Sequence, residues 1–254
     1  MQEISAQNPY SPPQSDLQSS PSALAVPSVE EALARGYDFS IGEVISEAWK
    51  RVKGMKGLLI AATLVYIVAI QTISFAFGLA LGLGFGVTES QTPMGQVAQV
   101  IASILAGAVC YPLAAGVAML GIRRAADQKV SFDEMFSHFG LFVPLLVTGL
   151  LMTLLMYAGL LLLIIPGLYL SLAYQLAIPL AVERKLSPWQ ALEASRKAIT
   201  RHWFKILGLY LTLCLITFLS MLPLGIGLVW TVPLLIISGG VLYRKIFGVL
   251  PPAN

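Results

Sequence analysis

Few side chains in this sequence are equipped for chemistry, and those few do not converge. The two histidines, His138 and His202, together with Asp133 and Glu134, offer imidazole and carboxylate groups of the kind that suit several transition metals. Each histidine is better read as a helix-end residue that hydrogen-bonds to lipid or backbone. Cys110 and Cys214 sit in apolar runs with neither pairing nor metal-ligand spacing. No Gly-rich phosphate loop, H-E-x-x-H or G-x-S-x-G elbow occurs. No catalytic residue, cofactor or metal ligand is therefore assigned, and enzyme activity is not expected.

The basic residues carry a different message. All 16 Lys and Arg fall in four clusters, separated by residues 57–122, 139–182 and 206–243, which hold no charge except Glu89. A bilayer core about 30 Å thick needs roughly 20 helical residues per crossing, so each uncharged stretch is long enough for two. Read as six crossings, the chain keeps every Lys and Arg on one side. Basic residues in short loops stay cytoplasmic, which places both termini inside. The chain is 57% hydrophobic and 11% charged with a mean hydropathy of +0.79, too apolar for a soluble domain of its length. The expected fold is an all-α polytopic membrane protein of the bacterial inner membrane, with six transmembrane helices arranged as three hairpins.

The expected crossings cover about residues 57–81, with a glycine-rich extension to 87, then 97–122, 139–163, up to 182, 206–221, and up to 243. Pro166-Gly167 and the run from Pro223 to Gly227 read as tight external turns, because neither residue type propagates a helix well. Residues 1–36, rich in Pro and Ser, read as a disordered cytoplasmic tail. Residues 37–247 form the transmembrane domain, and 248–254 a short cytoplasmic C-terminal tail. No charged stretch, apolar run and cleavage site open the sequence, so the first crossing is expected to act as the insertion signal.

A degenerate repeat underlies the hairpins. Ser40 with Glu43, Ser131 with Glu134 and Ser187 with Gln190 each match the capping box at the start of an amphipathic segment before an odd-numbered crossing. Each even-numbered crossing ends in a dibasic pair: Arg123-Arg124, Arg184-Lys185 and Arg244-Lys245. The amphipathic segments are expected to lie in the cytoplasmic headgroup region with their apolar faces and tryptophans toward lipid. The dibasic pairs are expected to contact anionic headgroups. Nucleic acid is excluded as a partner, since no contiguous basic and aromatic surface remains once the crossings are removed.

Several of these stretches resemble a known family. Tyr37-Asp38-Phe39-Ser40-Ile41-Gly42-Glu43 leading to Ala48-Trp49 is one. Pro166-Gly167-Leu168-Tyr169-Leu170, Ile178-Pro179-Leu180-Ala181-Val182-Glu183 and the run from Leu186-Ser187-Pro188-Trp189 to Ala194-Ser195 are the others. Together they are similar to bacterial six-span membrane proteins related to the membrane domain of some glycerophosphoryl diester phosphodiesterases. The resemblance implies a six-helix inner-membrane fold and supplies no catalytic residues.

The deepest polar groups are Gln71, Thr72, Ser74, Gln99, Thr148, Thr153, Ser171 and Gln175. Ionisable groups at membrane depth mark transport pathways, and none lies there, so these uncharged groups are read chiefly as interhelical hydrogen-bonding partners. Gly78, Gly82 and Gly86, four apart, make a face for close helix packing, within the first hairpin or in a homo-oligomer. Pro9, Tyr10, Pro12 and Pro13 in the tail form a polyproline-type motif for a cytoplasmic protein partner. The expected function is a non-enzymatic membrane scaffold or accessory factor. The alternative is a permease or lipid-handling protein with an uncharged pathway, which a membrane-depth cavity lined by Gln71, Gln99, Tyr157 or Gln175 would favour.

Overall fold

The computed structural model describes residues 26–84 and 92–251. The tail motif of Pro9, Tyr10, Pro12 and Pro13 lies outside the described residues, as do Gly86 and Glu89. The described secondary structure is helical throughout: α1 (Val29–Arg35), α2 (Ile41–Val52), α3 (Lys56–Gly84), α4 (Pro93–Ala125), α5 (Phe142–Leu162), α6 (Ile164–Ala173), α7 (Ala177–Glu183), α8 (Pro188–Arg201), α9 (Trp203–Met221) and α10 (Leu228–Phe247). Two 3-10 turns, Phe132–Phe136 and Phe139–Leu141, precede α5. Six stretches are long and apolar enough to cross a membrane: α3, α4, Phe132–Leu162, α6 with α7, α9 and α10. The chain is a multi-pass membrane protein.

The crossings divide into two kinds. In the most apolar windows of α3, α5 and α9, 11%, 17% and 17% of residues are buried, against 44%, 50% and 56% in α4, α6–α7 and α10. The odd-numbered crossings therefore form an outer layer whose Phe75, Leu154 and Phe218 face the bilayer, and the even-numbered ones form the core. Hydrophobic burial cannot sort helices in a solvent as apolar as leucine, so close packing of small residues does. Core helices α4 and α10 cross where a Cβ on Gly121 would stand 2.6 Å from the carbonyl oxygen of Ile236, and Gly240 meets the backbone of Gly121 in return. Gly78 faces Gln99 and Ala102 of α4, while Gly82 is half-buried in α3.

One of the two expected turns is placed differently. The chain reverses at Leu163, and Pro166 is the third residue of α6, where its missing N–H has no intrahelical acceptor to serve. Gly167 instead lets α6 approach α5, since a Cβ there would lie 2.8 Å from Cα of Leu160. The fourth crossing is also not one helix, being interrupted between Ala173 and Ala177. The connection after α9 does run through Pro223 to Gly227, with Leu224 and Gly225 at positive φ.

The segment read as tail is shorter than residues 1–36. Helix α1 lies within it, closed by the reciprocal bonds of Ser28 and Glu31, a capping box not singled out in the sequence. Arg201 donates to the carbonyl of Leu33 (2.8 Å), and Tyr37 donates to the carbonyl of Ala198 (2.9 Å), strapping α1 and its linker across α8. At the other end Leu250 is held by Glu183 and Gln128, so the chain remains packed beyond residue 247.

Candidate functional site

The charged ends of the core helices meet in one layer, and there the dibasic pairs are engaged by protein. Arg124 donates to the carbonyls of Arg51 (2.9 Å) and Lys53 (3.0 Å) at the end of α2. Arg244 donates to the carbonyl of Ala125, the last residue of α4, at 2.6 Å and pairs with Glu47. Arg184 donates to the carbonyls of Phe247, the last residue of α10 (2.5 Å), and of Pro27 (2.9 Å). Each arginine thus satisfies carbonyls that a neighbouring helix end leaves free, and its charge faces the negative end of that helix dipole. Arg123 pairs with Glu134, and Lys245 with Glu43 (2.7 Å). Of the six residues expected at lipid headgroups, Lys185 alone is exposed.

The capping boxes follow the same logic. Ser187 and Gln190 close theirs at the start of α8. Ser40 and Ser131 make no side-chain cap, and Glu43 and Glu134 pair with Lys245 and Arg123. The hydrogen bond from Lys245 holds the Glu43 carboxyl below its ordinary range, and one from Lys205 (2.5 Å) does the same for Asp38. The amphipathic helices do not lay their apolar faces on lipid. Val44, Ala48 and Val52 of α2 and Leu192 and Ile199 of α8 are buried within the protein, leaving Trp49 and Trp189 outward. His202 donates from Nε2 to the carbonyl of Tyr37 (2.6 Å), while His138 lies against Ser137. Among the described residues no three His, Cys, Asp or Glu gather as metal ligands would.

Deeper in the bundle, the interruption of the fourth crossing is repaired from outside. Ser195 of α8 is fully buried; its hydroxyl donates to the carbonyl of Ala173 (2.7 Å) and accepts the N–H of Leu176 (3.1 Å). Backbone groups freed inside a bilayer cost several kcal/mol if unpaired, so the break stands because α8 supplies one residue that serves both. The segment Tyr174–Leu176 is left as a turn, with Gln175 turned outward from the helix.

Gln175 thereby lines a cavity of about 290 Å³. The floor is α4 (Ala114, Val117, Ala118), one wall is Leu176 and Pro179, and the other is Leu235, Ile236 and Gly239 of α10. Tyr210 of α9 lies at its edge beside Gln175, which is exposed. The walls converge at the charged end, where Tyr243 donates to Glu183 and Arg184 ties α7 to Phe247. At about 1.5 Å per residue, Gly240 and Leu235 lie roughly 10 and 18 Å along α10 from its end at Phe247, well within the bilayer core. Among the described residues, no Asp, Glu, Lys, Arg or His lines the cavity.

Of the deep polar residues, the structure brings Gln175 to this site and disperses the rest. Thr153 bonds the hydroxyl of Tyr111 (2.9 Å), Thr148 and Ser171 bond their own helices, and Gln71, Gln99 and Tyr157 are exposed on the outer surface. Tyr210, Ser195 and Gly239 were not singled out from sequence as site residues. A tyrosine in an apolar run and the Gly239-Gly240 doublet are the signals that could have marked two of them.

No family model matches the chain, and no solved structure matches it. An uncharacterized protein of Mycobacterium bovis is 30% identical over 178 residues, covering 63% of this chain and 54% of that protein. An uncharacterized protein of Mycobacterium tuberculosis is 29% identical over the same length. The chain thus spans about half the length of the curated relatives it matches. The likeness to the phosphodiesterase membrane domain is carried by the quoted residues alone.

Proposed function

We propose that this is a non-enzymatic bacterial inner-membrane protein, with both termini cytoplasmic, that binds and handles an uncharged, membrane-soluble molecule. The observation that supports this is the cavity bounded by Gln175 and Tyr210. Its size is at the low end of ligand sites, about 300 to 1,000 Å³, and it has their character: an apolar lining with a small number of placed polar groups. Gln175 has two amide donors and a carbonyl acceptor to offer a polar group of a ligand. An elongated apolar molecule with a single hydroxyl or carbonyl fits that lining. A charged one would be desolvated without compensation.

The test uses a fatty alcohol carrying a photoactivatable diazirine, incorporated with the full chain into lipid nanodiscs. Crosslinks are expected at residues 114–122, 175–179 and 235–240, and are expected to be lost in Ala118→Phe, which fills the floor. Crosslinks spread over the outer faces of α3, α5 and α9, and indifferent to that substitution, would refute the pocket reading.

The scaffold reading has one observation in its favour. Helix α1 is strapped to the charged end by Arg201 and Tyr37, and Val26 before it lies against Gly248 there. In this reading Pro9 to Pro13 recruit a cytoplasmic protein, exposed Lys185 adds contact with anionic lipid, and the outer helices support a homo-oligomer. Deleting residues 2–25 would then remove a co-purifying protein without affecting membrane insertion.

A further inference from the structure

At the charged end, the connection from α2 to α3 and the one from α4 to α5 border a separate depression of about 880 Å³. Ion pairs sort its charged lining. Arg123 pairs with Glu134, and Asp127 pairs with Arg51 of α2 at 2.9 Å. Arg124 has no carboxylate partner among the described residues: its Nε and Nη2 donate to the carbonyls of Arg51 and Lys53, which fixes the guanidinium and leaves Nη1 unused. Lys129 is exposed and makes no ion pair with a described residue, and the same holds for the neighbouring Lys53. Against these three cations stands Asp133 alone, so the unpaired charge of the depression is positive.

The position of the depression says what covers it. Met55 immediately precedes α3, Arg124 lies in the last turn of α4, and Ser131 to Ser137 lead into α5, so the ends of three crossings converge at the depth of lipid headgroups. Beyond Glu134, Phe136 and Phe139 are 45% and 46% exposed. A soluble anion would use the cations and leave both phenyl rings in water, whereas a lipid uses both. We propose that the depression is a binding site for an anionic glycerophospholipid of the cytoplasmic leaflet, with its phosphate at Arg124 and Lys129 and its acyl chains along Phe136 and Phe139. The leaflet follows from the orientation proposed above; the site itself is independent of the cavity at Gln175. Arginine offers a planar fork to phosphate oxygens and lysine a mobile point charge, and the leaflet supplies negative lipid. A zwitterionic headgroup would bring its ammonium to a surface where only Asp133 is free to meet it.

The test places the full chain in phosphatidylcholine nanodiscs with a trace of phosphatidylglycerol that carries a diazirine beside its glycerol backbone. Crosslinks are expected at residues 53–56 and 129–139, several-fold above those from phosphatidylcholine bearing the same label. Lys129→Gln removes an exposed cation without a structural partner, so folding is unaffected. One lysine at an anionic surface is worth roughly fivefold, and the crosslinking yield is expected to fall by about that factor. Lys129→Arg keeps the charge and is expected to keep the yield. Equal labelling by the two lipids, or a yield indifferent to Lys129→Gln, would overturn the site. Displacement of the label by inorganic phosphate, beyond that produced by sodium chloride of equal ionic strength, would assign the depression to a soluble anion and overturn the lipid.

Discussion

Gly121 and Gly240 meet backbone to backbone: a Cβ on Gly240 would stand 2.5 Å from the carbonyl carbon of Gly121. No flexible side chain is there to yield. Gly240→Ala must therefore push α10 off α4, and overpacking of this kind costs about 1–3 kcal/mol. The adjacent Gly239→Ala would place its methyl 3.7 Å from the Tyr210 hydroxyl, an ordinary contact. Denaturant titration in mild detergent is expected to show a clear loss for Gly240→Ala and almost none for Gly239→Ala.

The stop arginines give a second contrast. Arg244 serves Ala125 and Glu47, whereas Lys185 is exposed. A hydrogen bond involving a charged group contributes about 1.5–3 kcal/mol. Arg244→Ala is expected to destabilise by that order, and Lys185→Ala to be neutral, in the same titration. Equal effects would mean that the pairs act as headgroup anchors after all.

Acid should loosen the charged end. The carboxyls of Glu43 and Asp38 have folded-state pKa values below their ordinary ones, first through hydrogen bonds from Lys245 and Lys205. A depressed pKa contributes stability that is present above the ordinary carboxylate value and is lost as pH falls through the folded value. Both acids are exposed, so the effect should be small and weakened by salt. Stability measured from pH 6 down to pH 3 is expected to fall less steeply in Lys245→Gln than in the unsubstituted chain.

How much of this was legible in the sequence differs by element. The segregation of Lys and Arg marks the crossings because charge is the one thing a bilayer excludes, and α3, α4, α9 and α10 fall close to where it places them. Pro166-Gly167 misleads because proline is equally at home in the first turn of a helix, and only the proximity of Leu160 shows what Gly167 is for. The amphipathic faces of α2 and α8 were visible, but amphipathicity does not say whether lipid or protein lies beneath. The dibasic pairs were visible too, and their acceptors were not, since backbone carbonyls leave no trace in sequence. Ser195 is an ordinary serine until the broken crossing lies beside it.

Topology is open to a direct check. Reporter fusions after Gln91 or Gly225 are expected to be external, and those after Gln128, Leu186 and Asn254 cytoplasmic, because the basic clusters all lie at one end. An external reporter after Leu186 would contradict the six-crossing arrangement.

The most direct measurement of the central claim is a structure of the full chain in nanodiscs made from its native membrane lipids. The account predicts an elongated density in the cavity between α4, α7 and α10, reaching the side chains of Gln175 and Tyr210, and its loss in Ala118→Phe. A cavity closed by direct contact of α10 with Pro179, with the same packing in both proteins, would contradict it.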